Sequence, residues 1–257
     1  EDELGLQLLT RGPGGFALTK AGADYRTSVS RAFGLLADAT HELLAPNAAR
    51  PLTISITSSI GMRWLMPRFH RFRAAHPDID TAILSASRLV DLARGEADMA
   101  LRYGTGPWDG LASEVLFRFT VFPLAAPPLA DRLRALPIAE GLASTTIIES
   151  GNDHWKDWLE AAGIPDFKPV RRLRFEDLSM ALAAACDGQG VVLGYSALAE
   201  PELASGTLVA PYDLSLSVPA GYHLVHAAGA LRDARIAAFR DWVMAEVAAT
   251  PAAAPIG

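Results

Sequence analysis

Three consecutive hydroxyl residues, Thr57, Ser58 and Ser59, sit inside the stretch PLTISITSSIGMRWLMP that runs from Pro51 to Pro67. Leu52, Ile54 and Ile56 alternate ahead of them as in a buried strand, and an amphipathic helix is predicted to open at Ile60. A strand that runs into a helix places its corner at the carboxyl edge of a parallel sheet, where ligands bind. The first N–H groups of such a helix lack partners and favour an anion. The expectation is therefore that Thr57, Ser58 and Ser59 hold a polar or carboxylate ligand, with plain helix capping as the alternative use. Ser85 and Ser87 follow the next strand and face the same edge, unless they only shape its turn. Arg102 ends the strand DMALRY, where a guanidinium forks onto a carboxylate or pairs with Asp109 or Glu149. Tyr103 beside it closes a cleft or joins the core. Glu149 and Ser150 end a later strand, and Glu149 would suit an ammonium. If Arg102 and Glu149 face one cleft, an amino-acid-like zwitterion fits. Tyr195 follows Gly194, which lets a ligand approach backbone, while His154 and Trp155 line the cleft or serve as cap and core.

Other constellations carry little chemistry. The chain has no G-x-S-x-G, no P-loop and no H-E-x-x-H. The single Cys186 lies in an apolar helical run, as a core residue rather than a nucleophile. His223 and His226 are three apart on a predicted strand, so they point to opposite faces and share no metal there. Glu176-Asp177 reads as a helix start. No enzyme activity, cofactor or metal is expected. A formal net charge of −6 argues against a free-standing nucleic-acid binder, although a small basic module on an acidic body is compatible with it. No run of 18 apolar residues suggests a membrane span, the acidic opening EDELGLQLL is no export signal, and one cysteine suits a reducing cytoplasm.

Alternating elements must position these residues. Half of the 257 residues are hydrophobic, enough for a packed core. A Gly-Pro-Gly-Gly turn and a short strand, Phe16 to Leu18, precede Thr19, a good N-cap. Residues 20–45 lack proline, and Tyr25, Val29, Phe33, Leu36, Thr40 and Leu43 form one apolar stripe. A second copy of the same helix is the expected cover, giving a dimer, with packing on its own body as the alternative. PNAARP, 46–51, closes this helix. Strands are then predicted at 52–56, 79–84, 98–103, 146–149, 170–175, 190–195, 208–210 and 222–227. Helices are predicted at 62–75, 89–94, 154–162, 177–187 and 231–247, and residues 115–126 form two strands or one long crossing strand. Such alternation makes an α/β body with parallel strands, and two such sets imply two lobes with a cleft between them.

The opening residues also carry a resemblance. Leu4-Gly5, Arg11 before a glycine-rich turn, and Leu18-Thr19 with Ala21-Gly22 resemble the end of the winged helix-turn-helix of LysR-type transcriptional regulators. Arg63-Trp64-Leu65, Pro67-Arg68, His76-Pro77, Val90-Asp91-Leu92, Arg102-Tyr103-Gly104, Trp108 to Gly110, Trp155 and Trp158, and Gly188-Gln-Gly190 are similar to its glycine-cleavage-activator and AmpR-like branch. The resemblance implies two Rossmann-like lobes of the type 2 periplasmic-binding-protein kind, joined by two crossing strands and preceded by a wing remnant and a long linker helix. The expected division is 1–19 wing remnant, 20–45 linker helix, 46–50 hinge and 51–257 effector-binding domain. Its first lobe takes 51–125 with 222–250, and its second lobe 126–221. The base-reading helices would precede Glu1, leaving Arg11 and Lys20 to touch DNA phosphates without reading sequence. The resemblance also implies a small polar effector between the lobes, with amino acids and muropeptide-like molecules as candidates, and Thr120 of the crossing strand as a contact. It implies a homodimer or homotetramer in the cytoplasm. A transporter's solute-binding protein would share the two lobes, but residues 1–45 argue against it.

Overall fold

The computed structural model describes residues 1, 4–12, 15–26, 28–30, 32–33, 50–86, 88, 90–151 and 154–250, with the backbone alone at 11 and 12. A small antiparallel hairpin, β1 (Leu9–Gly12) with β2 (Gly15–Leu18), leads into a helix α1, whose described residues run from 20 to 33. Thr19 caps it as its sequence predicts: its Oγ1 accepts the Gly22 N–H at 3.0 Å.

One mixed eight-stranded sheet forms the rest. β3 (Leu52–Ile56) pairs in parallel with β4 (Thr81–Ser85) and with β5 (Met99–Gly104). β7 (Thr146–Glu149) pairs in parallel with β8 (Arg171–Arg174) and β9 (Val191–Tyr195). Between these two parallel wings lie the long β6 (Leu111–Leu124) and β10 (Leu216–Ala227), antiparallel to each other and to their outer neighbours. Each long strand serves both wings. β10 pairs with β5 over Gly221–His226 and with the far half of β6 at Leu216 and Ser217, while β6 joins β9 from Val121 on.

The helices cover the sheet. α2 is continuous over Ser58–Ile60, a π-helical turn Gly61–Leu65, and Met66–Ala75. The closing helix α8 (Ala234–Ala249) packs on α2 through aromatic edges, with Phe239 5.2 Å and Trp242 5.3 Å from Phe72. The other wing carries α3 (Pro127–Arg134), α4 (Ile138–Ala143), α5 (Trp155–Ala161), α6 (Leu178–Cys186) and α7 (Glu200–Ser205). Gly163 and Gly188, at φ 75° and 73°, close α5 and α6 in the left-handed conformation that stops helices.

Several predicted bounds shift. α2 opens at Ser58 instead of Ile60, and only the short 3-10 turn Leu92–Arg94 forms where a helix from 89 was expected. The apolar stretch after 110 is one crossing strand. Residues 208–210 contribute a single bridge, Val209 to Ala125, and β10 starts six residues earlier than Tyr222. The centre of the sheet is antiparallel, because two strands that return between the wings must run against them.

Candidate functional site

Parallel strands end together, and the ends of β3, β5, β7, β8 and β9 meet at one cavity. It is lined by Ser59, Tyr103, Ser150, Gly151, Glu176, Leu178, Tyr195, Leu198 and Tyr222. Tyr103 and Tyr222 are register partners across β5 and β10, so their side chains share a face, with rings 5.6 Å apart. Tyr195 meets Tyr103 edge-on at 5.9 Å, and Phe119 of β6 lies against all three tyrosines. The result is an aromatic floor with phenol groups at its rim.

The Tyr222 and Tyr103 hydroxyls are both held. Tyr222 shares a 2.8 Å hydrogen bond with Thr57, and Tyr103 shares one of 2.8 Å with His154 Nε2. His154 Nδ1 in turn meets Asp157 at 3.1 Å. Ser59 donates to the Asp177 carboxylate at 2.9 Å, and the other oxygen of that carboxylate caps α6 by accepting the Ser179 N–H at 2.8 Å. Burial pushes the Tyr222 phenol up to about 12, with the Asp177 charge adding to the rise, and burial raises Tyr103 as well. Both therefore remain neutral donors and acceptors at physiological pH. Glu176 is the one charged side chain on the lining among the described residues, so no cation there awaits a carboxylate. The cavity volume is about 30 Å³, room for water rather than for a drug-sized ligand.

Two ties besides the Tyr103–His154 bond reach across the sheet. Ser59 joins the β3 corner to Asp177 after β8, and Arg63 of α2 grips the Leu198 carbonyl and the Glu202 carboxylate. Polar contacts thus bridge the walls of the cavity.

Residues 46–248 match the family described as the LysR substrate binding domain. The glycine cleavage system transcriptional activator of Escherichia coli (strain K12) is 34% identical over 251 residues, covering 97% of this chain and 82% of its own length. This chain belongs to the LysR family. The transcriptional activator AmpR of Pseudomonas aeruginosa is 31% identical over 253 residues, 98% of this chain and 84% of the relative. Its effector domain, solved by X-ray methods, superposes with a TM-score of 0.67 at 29% identity, over 78% of this chain and 96% of that one. The LysR-type regulator CrgA of Neisseria meningitidis shares the fold at a TM-score of 0.64 and 22% identity, over 96% of this chain and 85% of that one. The chain is thus a LysR-type transcriptional regulator with its effector-binding domain, and its fold is the mixed α/β fold of that domain.

Within this LysR domain the residues singled out by spacing divide. Ser59, Tyr103, Ser150 and Tyr195 line the cavity, and Thr57 stands behind it on Tyr222. Ser58 and Ser85 bond each other at 3.0 Å and are absent from the lining, as is Thr120, whose carbonyl accepts the Ser196 N–H at 3.0 Å. Ser87 lies outside the described residues.

Arg102 and Glu149 require a correction. Strand alternation turns Arg102 to the face opposite Tyr103, where it is 4% exposed and donates to Ala86 O and Ser55 Oγ, both at 2.6 Å. Glu149 is taken by Arg172 at 3.1 Å and lines a different hollow. The two charges do not meet in one cleft, so the zwitterion reading they motivated falls. Tyr222, Gly151, Glu176, Leu178 and Leu198 were missed. For Tyr222 a signal existed, since an antiparallel partner for the strand ending in Tyr103 sets a second tyrosine beside it.

Proposed function

We propose that this LysR-type regulator senses a small polar effector in the Tyr103–Tyr195–Tyr222 cavity, with Ser59, Ser150 and Thr57 as its hydrogen-bonding groups. The observation that carries the reading is convergence: hydroxyl groups from both wings of the sheet meet at one pocket on the carboxyl edge, where such sheets bind ligands. On this reading the first lobe is 51–125 with 222–250, and the second is 126–221. An effector larger than water parts the lobes and exchanges the Ser59–Asp177 and Tyr103–His154 bonds for bonds to itself. It then favours one arrangement by its difference in affinity for the two, and about a tenfold preference, roughly 1.4 kcal/mol, shifts a balanced population usefully. The working unit is a homodimer or homotetramer in the cytoplasm, paired through α1 and engaging operator DNA, with Arg11 and Lys20 contacting phosphates.

Titration calorimetry with glycine, other amino acids and muropeptide fragments tests the site. Heat that is saturable and lost in both Ser59→Ala and Tyr222→Phe supports it. Binding that is indifferent to both substitutions places the effector elsewhere and overturns the assignment.

A further inference from the structure

A second hollow lies on the other side of β7, between that strand, α5 and the loop that follows Gly163. Its volume is about 210 Å³, several times that of the cavity between the wings. Its floor is apolar and fixed. Trp155 and Leu159 are 5% and 7% exposed, and the Trp155 indole N–H is already spent on Ile148 O at 3.0 Å. Phe167 closes one side, held by its N–H on the Ile164 carbonyl at 3.1 Å, and prolines at 165 and 169 stiffen the loop that carries it. Such a pocket is formed before any ligand arrives.

Its rim is charged and unbalanced. Glu149 and Arg172 pair at 3.1 Å, with Arg172 57% exposed at its side chain. Lys156, also on the rim, makes no ion pair or hydrogen bond among the described residues; Glu160, one turn further along α5, and Asp157 beside it leave it free. Among the described residues, two cations thus face one carboxylate at the edge of an apolar floor.

We infer that this hollow is a binding site for an amphipathic anion, an aromatic or alkyl body lying on Trp155, Leu159 and Phe167 with its acid group on Lys156. Lys156, which has no partner among the described residues, selects the acid, and the aromatic walls select the body. The site also touches the other cavity through its own chain. Glu149 precedes Ser150 on that lining, and Trp155 follows His154, which holds Tyr103.

Phenylacetate is a suitable probe, with phenylacetamide as the neutral form and phenethylamine as the opposite charge, followed by nuclear magnetic resonance on the full chain. The Trp155 indole N–H signal is assigned from its loss in Trp155→Phe. Phenylacetate is expected to shift that signal saturably and to bind about tenfold or more tightly than phenylacetamide, as a charge-assisted contact provides. In Lys156→Glu, an exposed change that leaves the fold intact, this advantage disappears and phenethylamine becomes the better ligand. No saturable shift at Trp155, equal binding of all three probes, or an unchanged order in Lys156→Glu would each overturn the proposal. Shifts confined to Tyr103 and Ser150 would overturn it as well, since they place the probe in the other cavity.

Discussion

Tyr222 ties the cavity to the strand corner through a single hydroxyl, and its removal is a local experiment. In Tyr222→Phe the half-buried Thr57 hydroxyl loses its 2.8 Å partner, a change expected to cost about 1–2 kcal/mol in thermal or urea unfolding. The same residue gives an alkaline signature. Burial raises Tyr103, and it raises Tyr212 and Tyr222 to about 12, so these three ionise above the ordinary 10.0. Ultraviolet titration of the phenolate band should show this late group, and Tyr222→Phe should lose one member of it; an unchanged late group would contradict the burial. At the acid end the sign reverses. Arg240 holds the Glu114 carboxyl below its ordinary 4.5, so that pair adds stability fully above 4.5 and loses it as pH falls through the lower folded value. Glu114→Gln should therefore flatten the acid limb of a stability–pH curve while changing little at pH 7 beyond the modest worth of a half-exposed pair.

At the level of elements, β10 decides whether the two wings share one sheet. Its register against β6 shifts between Ser217 and Gly221, and a Cβ on Gly221 would stand 2.1 Å from the Phe117 carbonyl oxygen. Backbone cannot yield there as a side chain tip would. Gly221→Ala should cost about 1–3 kcal/mol, a melting temperature lower by several degrees, and should disturb the adjoining Tyr222. An alanine variant that melts with the wild type would remove the bulge from the account. The same strand shows what periodicity can carry. Alternation marked β3, β5 and β9, because Leu52, Ile54 and Ile56, or Val191 to Leu193, are apolar at consistent spacing. It did not mark the start of β10, where Pro219 and Gly221 interrupt the pattern at a crossing that only the neighbouring β6 makes sense of. The site was legible to the same degree. Tyr103 and Tyr195 end strands, and Ser59 and Ser150 stand just after them, so they could be found by position, while Arg102 failed because a one-residue step on a strand reverses its face. Asp177 read as a helix cap, which it is; its second oxygen reaching Ser59 is a tertiary fact that no local pattern records.

For the whole molecule the open question is what covers α1. Tyr25 is 47% exposed and Phe33 67% exposed, although they lie on the predicted stripe, of which Val29 is half-buried and Leu36, Thr40 and Leu43 fall outside the described residues. A stripe of that kind on a single chain leaves apolar area in water, and a second α1 removes it from both copies at once. Burying a phenylalanine is worth about 1.5–3 kcal/mol in full, and since a third of Phe33 is already covered, pairing would add about 1–2 kcal/mol per copy. Phe33→Glu forfeits this twice in a symmetric dimer and adds two facing charges, so dimer dissociation should tighten its demand on concentration by roughly thirtyfold or more. Sedimentation velocity over a dilution series reads this directly. Because α1 lies far along the chain from the cavity residues, calorimetric binding by the variant should stay at the wild-type affinity per chain. If instead the oligomer is untouched while the melting temperature falls, α1 is packed against its own body and pairing belongs to another surface.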